Sequence, residues 1–183
     1  LYQHLAKYED CLPDNIYLSA GSDGAIKAVF ECFVNPNDKV ILLSPTYAMF
    51  NVYAKMFQAK LIEIHYNGNL SLSVEKLIKM IRGHRPKLIC IANPNSPTGT
   101  IISPQALAQI IRLANKINSI VLVDEAYYLF YVHTVSGLIK NHENLIVTRT
   151  FSKAFGLASA RLGYALAHPA MIQALYKLRP MYE

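Results

Sequence analysis

The stretch that decides the fold is SPQALAQIIRLANKINSIVLVDEA, residues 103–126. Its first part predicts a helix, because Ser103 and Pro104 favour a helix start and the apolar residues from Leu107 to Ile117 fall on one stripe. Its second part, residues 119–126, predicts a strand with an unbroken apolar run before Asp124. Such strands are typical of parallel sheets, in which helices cover both faces.

The same alternation of strand and helix runs along the whole chain. Apolar runs predict strands over residues 15–21, 38–44, 59–66, 87–93, 119–126, 143–150 and 161–168. Helical patterns cover residues 22–33, 45–57, 73–82, 103–117 and 169–178, with Pro45 in a first helical turn and Ser73 as an N-cap. We therefore predict an α/β fold for residues 1–183, with a mostly parallel sheet of about seven strands and helices on both faces.

Composition excludes several classes of protein. The chain has 183 residues, of which 52% are apolar and 16% charged, so one domain can bury a sizeable core. No apolar run reaches the roughly 18–20 residues of a membrane span, and no signal peptide opens the chain. The formal charge of +6 is spread along the predicted helices, which disfavours nucleic-acid binding.

The cysteines and the two ends of the chain carry further hints. Cys11, Cys32 and Cys90 are scattered, which favours a reducing, cytoplasmic setting over disulfides or a metal site. The chain opens without Met inside a helical pattern and closes as a helix approaches Pro180. We therefore expect a piece of a longer protein.

Polar residues follow several of the predicted strands, at the edge of the sheet where ligands bind in such folds. The turn at residues 21–23, Gly-Ser-Asp, fits a phosphate, although such a turn is more often only a helix cap. The segment ANPNSPTGT, residues 92–100, is a stiff turn that would aim Asn93, Asn95 or Ser96 above the sheet, or is an ordinary loop.

Two charged residues at strand ends are the strongest candidates for chemistry. Asp124 ends a buried strand, where a carboxylate needs a cation or strong donors, and Tyr127 lies three residues further on. Lys153 follows the strand at residues 143–150 and lies among small, apolar and hydroxyl-bearing residues. Burial of that amine would lower its pKa and make it a nucleophile. The alternatives are an ion-paired Asp124 and a Lys153 that is only a surface charge.

In this order the segments resemble the pyridoxal-phosphate enzymes of the aspartate-aminotransferase fold, and most closely the histidinol-phosphate aminotransferases. The resemblance covers essentially the whole chain and implies the large domain of such an enzyme. Five motifs carry it: GSD (21–23), PTY (45–47), NSPTG (95–99), DEAY (124–127) and TFSKAFGLASAR (150–161).

The resemblance implies roles at the reactive end of the cofactor. Lys153 would bind the cofactor as a Schiff base and later move a proton between carbons. Asp124 would pair with the protonated ring nitrogen, Tyr127 would donate to the ring phenolate, and Tyr47 would stack on the ring.

The resemblance also implies a phosphate site. The hydroxyl and amide of Ser22, the amide of Asp23, Ser152 and Arg161 would bind the phosphate, and Thr150 belongs to the same cofactor-binding loop. One loop would thus hold the amine and part of the anion site.

Three positions depart from the pattern of the family. Ser96 stands where an Asn usually helps to hold the ring phenolate, so either the shorter Ser96 or the neighbouring Asn95 would donate there. Ser159 replaces a usual Gly, and Gly24 stands where an acidic residue is common.

The implied function is transamination of an amino acid or amino-acid phosphate ester, with histidinol phosphate as a candidate, by 2-oxoglutarate in a homodimer. The resemblance also implies that an N-terminal segment and a small domain with a carboxylate-binding arginine lie outside this chain. A decarboxylase or lyase of the same fold and a non-catalytic aminotransferase-like domain remain open. A Rossmann dehydrogenase is disfavoured, because no G-x-G-x-x-G follows the first strand.

Overall fold

The computed structural model describes residues 1–178, which form seven strands and six α-helices. The strands are β1 (Ile16–Ser19), β2 (Lys39–Ser44), β3 (Lys60–His65), β4 (Leu88–Ala92), β5 (Ile120–Asp124), β6 (Leu145–Thr150) and β7 (Gly163–Ala167). The helices are α1 (Tyr2–Tyr8), α2 (Gly21–Phe33), α3 (Ala48–Met56), α4 (Val74–His84), α5 (Pro104–Lys116) and α6 (Pro169–Lys177). Short 3-10 helices lie at Pro13–Asn15, Ser136–Lys140 and Ala158–Ala160.

The strands form one sheet in the order β1-β7-β6-β5-β4-β2-β3, which confirms the predicted α/β class. All neighbouring strands are parallel except β7, which is antiparallel to both β6 and β1. No α-helix separates β6 from β7. A direct return of this kind favours the antiparallel arrangement, whereas parallel neighbours need a long crossover.

Two apolar cores lie on the two faces of the sheet. Along β5, Val121 and Val123 belong to one core and Leu122 to the other, as the two-residue period of a strand requires. The first core also contains apolar residues of α1, α4 and α5, and the second those of α2, α3 and α6. The alternation continues to Asp124, which therefore lies on the face of α2 and α3.

Helix starts follow the sequence signals in two helices and depart from them in a third. Ser73 caps α4 by accepting from the Lys76 N–H, as predicted, and Ser103 caps α5. The prediction of a helix start at Pro45 was wrong, because α3 begins at Ala48 after an extended Tyr47. The carbonyl of Pro45 instead accepts from a side-chain amide outside the helix. The predicted approach of the last helix to Pro180 lies outside the described residues.

Two features are absent from residues 1–178. Among these residues no helix combines the length and apolar character needed to cross a bilayer. The same residues contain no group of three or more His, Cys, Asp or Glu side chains placed to hold a metal ion.

Candidate active site

A cavity of about 290 Å³ lies where β4, β5 and β6 end and α2 begins. This is the edge of the sheet at which ligands bind in folds of this type. The structure brings to it ten of the residues predicted from the sequence: Ser22, Asp23, Tyr47, Ser96, Asp124, Tyr127, Thr150, Ser152, Lys153 and Arg161.

Asn95 is the predicted residue that the structure does not bring to the cavity. Its side chain is buried, and its carbonyl oxygen accepts from the Thr46 hydroxyl at 2.7 Å. Its amide nitrogen donates to the Pro45 carbonyl and to the Thr98 hydroxyl. Of the two alternative donors, Asn95 therefore fixes the turn, and Ser96 lines the cavity.

The start of α2 forms one end of the cavity. Gly21 has a φ of +72°, which favours glycine, and Ala20 provides no side-chain cap for the helix. The backbone of Gly21 and Ser22 lies against β7 so closely that a Cβ on Gly163 would come within 2.3 Å of the Gly21 carbonyl carbon. Any side chain at position 163 would therefore displace the first turn of α2.

Arg161 lies beside this helix start. Its Nη2 atom is 3.1 Å from the position that a Cβ on Gly21 would take, so the absence of a side chain there allows the close approach. Uncapped backbone N–H groups, the positive end of the helix dipole and a guanidinium together suit an anion. Ser152 lines the same cavity, and its buried Oγ has no hydrogen-bond partner among the described residues.

Asp124 is a buried carboxylate in the same cavity. Burial raises its pKa to about 7, although hydrogen bonds from the Thr148 hydroxyl and the Ala126 N–H act to lower it. Thr148 lies opposite Asp124 in the register of β5 and β6, and donates to Oδ1 at 2.8 Å. A cation in the cavity would stabilise the charged form of this group.

Lys153 lies in the loop between β6 and β7. Of the two alternatives that the sequence left open, a buried amine and an exposed charge, the structure shows an exposed side chain. Lys153 still lines the cavity, and its Nζ atom lies 5.4 Å from the centre of the Tyr127 ring. The loop is ordered at its start, where the Ser152 N–H donates to the Thr150 hydroxyl.

Tyr47 and Asp23 both line the cavity and are joined by a hydrogen bond. The Tyr47 hydroxyl donates to Asp23 Oδ1 at 3.2 Å, and the Tyr53 hydroxyl donates to Oδ2 at 2.8 Å. Burial, together with Asp23, raises the pKa of Tyr47 to about 12 and raises that of Tyr53 further. Both hydroxyls therefore keep their protons and remain donors.

Sequence reasoning missed an ion network on the other face of the sheet. The side chain of Arg149 is only 4% exposed and donates to both oxygens of Glu9, at 2.7 and 2.8 Å, and to Glu125. Glu125 also accepts from the Thr134 hydroxyl and the Val135 N–H, and so anchors the loop that contains Tyr127.

Only part of these contacts left a signal in the sequence. Thr148 and Asp124 could have been paired from the register of two adjacent parallel strands. Nothing in the sequence links Glu9 to Arg149, since Glu9 directly follows α1 and Arg149 lies in β6, far along the chain.

The side chains present fit pyridoxal phosphate. The α2 start, Arg161 and the orphaned Ser152 hydroxyl suit a phosphate, and the buried Asp124 carboxylate suits a protonated ring nitrogen. Lys153 supplies an amine on the same cavity.

Comparison with known proteins agrees with this geometry. The family model described as aminotransferase class I and II matches residues 3–182. Histidinol-phosphate aminotransferase of Thermoanaerobacter pseudethanolicus is 40% identical over 183 residues, which is all of this chain and 51% of that protein. Dihydroxyacetone phosphate transaminase of Campylobacter jejuni is 38% identical over 164 residues, which is 90% of this chain and 44% of that protein.

A solved structure shows the same likeness. The crystal structure of histidinol-phosphate aminotransferase from Sinorhizobium meliloti in complex with pyridoxal-5'-phosphate matches with a TM-score of 0.85 and 27% identity. The match covers 97% of this chain and 49% of that one. The chain therefore spans about half the length of the curated relatives it matches.

Proposed function

The chain belongs to the aminotransferase class I and II family, and we propose that it is the cofactor-binding large domain of a pyridoxal-phosphate-dependent aminotransferase. One observation carries the proposal: an amine, a buried carboxylate and a guanidinium, from Lys153, Asp124 and Arg161, line one cavity. The proposed reaction moves the amino group of an amino acid or amino-acid phosphate ester to 2-oxoglutarate. We extend the proposal to a cytoplasmic homodimer on the basis of the family.

The reactive side chains have separable tasks. Pyridoxal phosphate, when bound, supplies an aldehyde that condenses with amines and a ring that withdraws electrons from the neighbouring carbon. Lys153 Nζ is the amine that would hold the cofactor and then carry a proton. Asp124 would keep a proton on the ring nitrogen, and that cationic partner would offset the burial of its carboxylate.

The remaining side chains bind and orient. The α2 start, with Ser22, and Arg161 and Ser152 would hold the phosphate, so that the cofactor is fixed at the end away from the chemistry. The centre of the Tyr127 ring lies 5.4 Å from the Lys153 amine, and the Tyr127 hydroxyl would donate to the ring oxygen. Ser96 is the cavity-lining donor available where the family usually has an amide.

The proposed donor follows from the names of the relatives. Both relatives compared above are named for phosphorylated substrates, histidinol phosphate in one and dihydroxyacetone phosphate in the other. We therefore propose a phosphorylated substrate, with histidinol phosphate as the first donor to assay.

The test uses the full-length protein. We expect added pyridoxal phosphate to give an absorption band of the lysine-bound cofactor, which Lys153→Ala abolishes and Lys116→Ala, at an exposed position at the end of α5, leaves intact. With histidinol phosphate and 2-oxoglutarate, we expect glutamate to form, and with an amino acid as donor we expect no release of carbon dioxide.

Each other outcome selects a different function. Release of carbon dioxide from an amino acid would indicate a decarboxylase of the same fold. A folded full-length protein that binds no cofactor would indicate a non-catalytic domain. A band that persists in Lys153→Ala would show that another amine is the nucleophile.

A further inference from the structure

Asp23 places a carboxylate next to the proposed phosphate site. It lies in the first turn of α2, next to Ser22, and lines the same cavity as Arg161. A phosphate at that helix start would be repelled by a carboxylate that is free to turn toward it. Some feature of the structure must therefore hold the Asp23 side chain.

Both oxygens of this carboxylate are held by tyrosine hydroxyls. Tyr47 donates to Oδ1 at 3.2 Å and Tyr53 donates to Oδ2 at 2.8 Å. Both donors belong to α3 or its N-cap, so the hydrogen bonds turn the charge toward α3. We call Asp23, Tyr47 and Tyr53 the tyrosine clamp.

Tyr53 is the fixed end of the tyrosine clamp. Only 4% of the residue is exposed, its ring packs 6.0 Å from that of Phe30, and it is not among the residues that line the cavity. Its hydrogen bond to the carboxylate is also the shorter of the two. Tyr53 can therefore reach the cavity only through Asp23.

Tyr47 is the end of the tyrosine clamp that faces the cavity. Its ring lines the cavity and meets Phe50 edge-on at 5.8 Å, and its hydroxyl is held by Asp23. Because the Tyr47 ring is fixed at both its backbone and its hydroxyl, its position in the cavity wall is defined. Stacking against a cofactor ring requires such a defined position.

We propose that Tyr53 is a positioning residue, which acts through Asp23 to hold the Tyr47 ring in the cavity wall and the Asp23 charge away from the phosphate end. The inference rests on the proposed function, because it concerns the binding of pyridoxal phosphate. It assigns a task to a buried hydroxyl that touches neither cofactor nor substrate.

The experiment measures binding of pyridoxal phosphate to the full-length protein, with Tyr53→Phe, Tyr47→Phe and the double variant. Tyr53→Phe keeps the ring and removes only the hydroxyl. Tyr66→Phe is the control, since it removes a hydroxyl from a half-buried tyrosine that does not line the cavity. The readouts are the Kd from a spectroscopic titration, the circular dichroism of the bound cofactor, and the Tm without cofactor.

We expect Tyr53→Phe to weaken binding about threefold to tenfold, the range of one hydrogen bond, and to change the circular dichroism of the bound cofactor. Tyr66→Phe should leave the Kd unchanged. In the double variant the fold-loss in affinity should be smaller than the product of the two single fold-losses, because both substitutions remove hydrogen bonds to the same Asp23 carboxylate.

Asp23→Ala separates the tyrosine clamp from simple repulsion. The clamp predicts weaker binding, because the Tyr47 ring loses its anchor, whereas a carboxylate that only repels the phosphate predicts tighter binding on its removal. This variant also decides the question if Tyr53→Phe does not fold.

Several outcomes would overturn the inference. An unchanged Kd in Tyr53→Phe, multiplicative losses in the double variant or tighter binding by Asp23→Ala each refute the tyrosine clamp while leaving the proposed function intact. An unmodified protein that binds no pyridoxal phosphate overturns the proposed function and this inference together.

Discussion

Replacement of Asp124 by Asn should stabilise the protein without cofactor and weaken its binding of the cofactor. Burial raises the pKa of Asp124 from 3.8 to about 7, the hydrogen bonds from Thr148 and the Ala126 N–H opposing the shift. Between these pH values the folded protein binds a proton that the unfolded chain has lost. The stability that this group contributes is therefore fully present below pH 3.8 and is lost as the pH rises through 7.

The magnitude follows from the width of that interval. A shift of about three units, at 1.36 kcal/mol per unit, corresponds to about 4 kcal/mol in the free energy of unfolding at pH 8. Asn cannot ionise, and its carbonyl oxygen can still accept from the Thr148 hydroxyl. The gain in Asp124→Asn should therefore grow by about 2–3 kcal/mol between pH 5 and pH 8.

The assay is urea unfolding of the full-length protein without cofactor, followed by far-ultraviolet circular dichroism at both pH values. Asp10→Asn is the control, because its side chain is exposed and its hydrogen bond with Lys140 lowers the pKa of Asp10. The stability from Asp10 is present above its unfolded pKa and is lost only in acid, so its replacement should have the same effect at pH 5 and pH 8. A gain in Asp124→Asn that does not increase with pH would refute the reasoning.

Three further predictions concern the residues that support or line the cavity. Arg149→Met should lower the free energy of unfolding by about 3–5 kcal/mol, because two buried carboxylates lose their partner. Lys140→Met removes the cation of an exposed pair and should lower the free energy of unfolding far less. Gly163→Ala should lower the free energy of unfolding by about 3 kcal/mol or more and weaken cofactor binding, because its Cβ would overlap the backbone of Gly21 and Ser22. Gly83→Ala is the control, because a Cβ there meets no atom within 4 Å and should not destabilise α4. Ser96→Asn should tighten the Kd for pyridoxal phosphate, because a longer donor then lines the cavity.

Simple measurements check these three. Urea unfolding compares Arg149→Met with Lys140→Met, and Gly163→Ala with Gly83→Ala. An equal loss in the free energy of unfolding within the first pair would contradict the argument from burial, and within the second pair the argument from close approach. A spectroscopic titration decides the third, for which unchanged or weaker binding by Ser96→Asn would show that the serine is already sufficient.

The layers of the fold could be predicted because they depend on local patterns. Apolar runs such as residues 119–126 and helix starts such as Ser103 act within a few residues, and both were placed within a few positions of their observed ends. The start of α3 could not be predicted in this way. Pro45 favours a helix locally, but its carbonyl accepts from Asn95, which comes from a distant turn.

Most cavity-lining residues were predictable because strand ends meet at one edge, whereas most of the hydrogen-bond and ion-pair partners that support the site were not. Tyr53 reaches Asp23, and Glu9 reaches Arg149, only after the helices have packed on the sheet. The exposure of Lys153 depends on what lies over its loop, and a pattern of small residues does not record that.

The position of β1 in the sheet has a consequence for folding during synthesis. Among residues 1–178, β7 is the only strand that pairs with β1, so Ile16 lies opposite Leu166, a residue far along the chain. A ribosome releases β1 early and β7 late, and the first strand must wait with an unpaired edge. A nascent chain halted before β7 would thus keep β1 available to chaperones, and the pulling force on such a chain should rise only once Gly163–Ala167 has emerged.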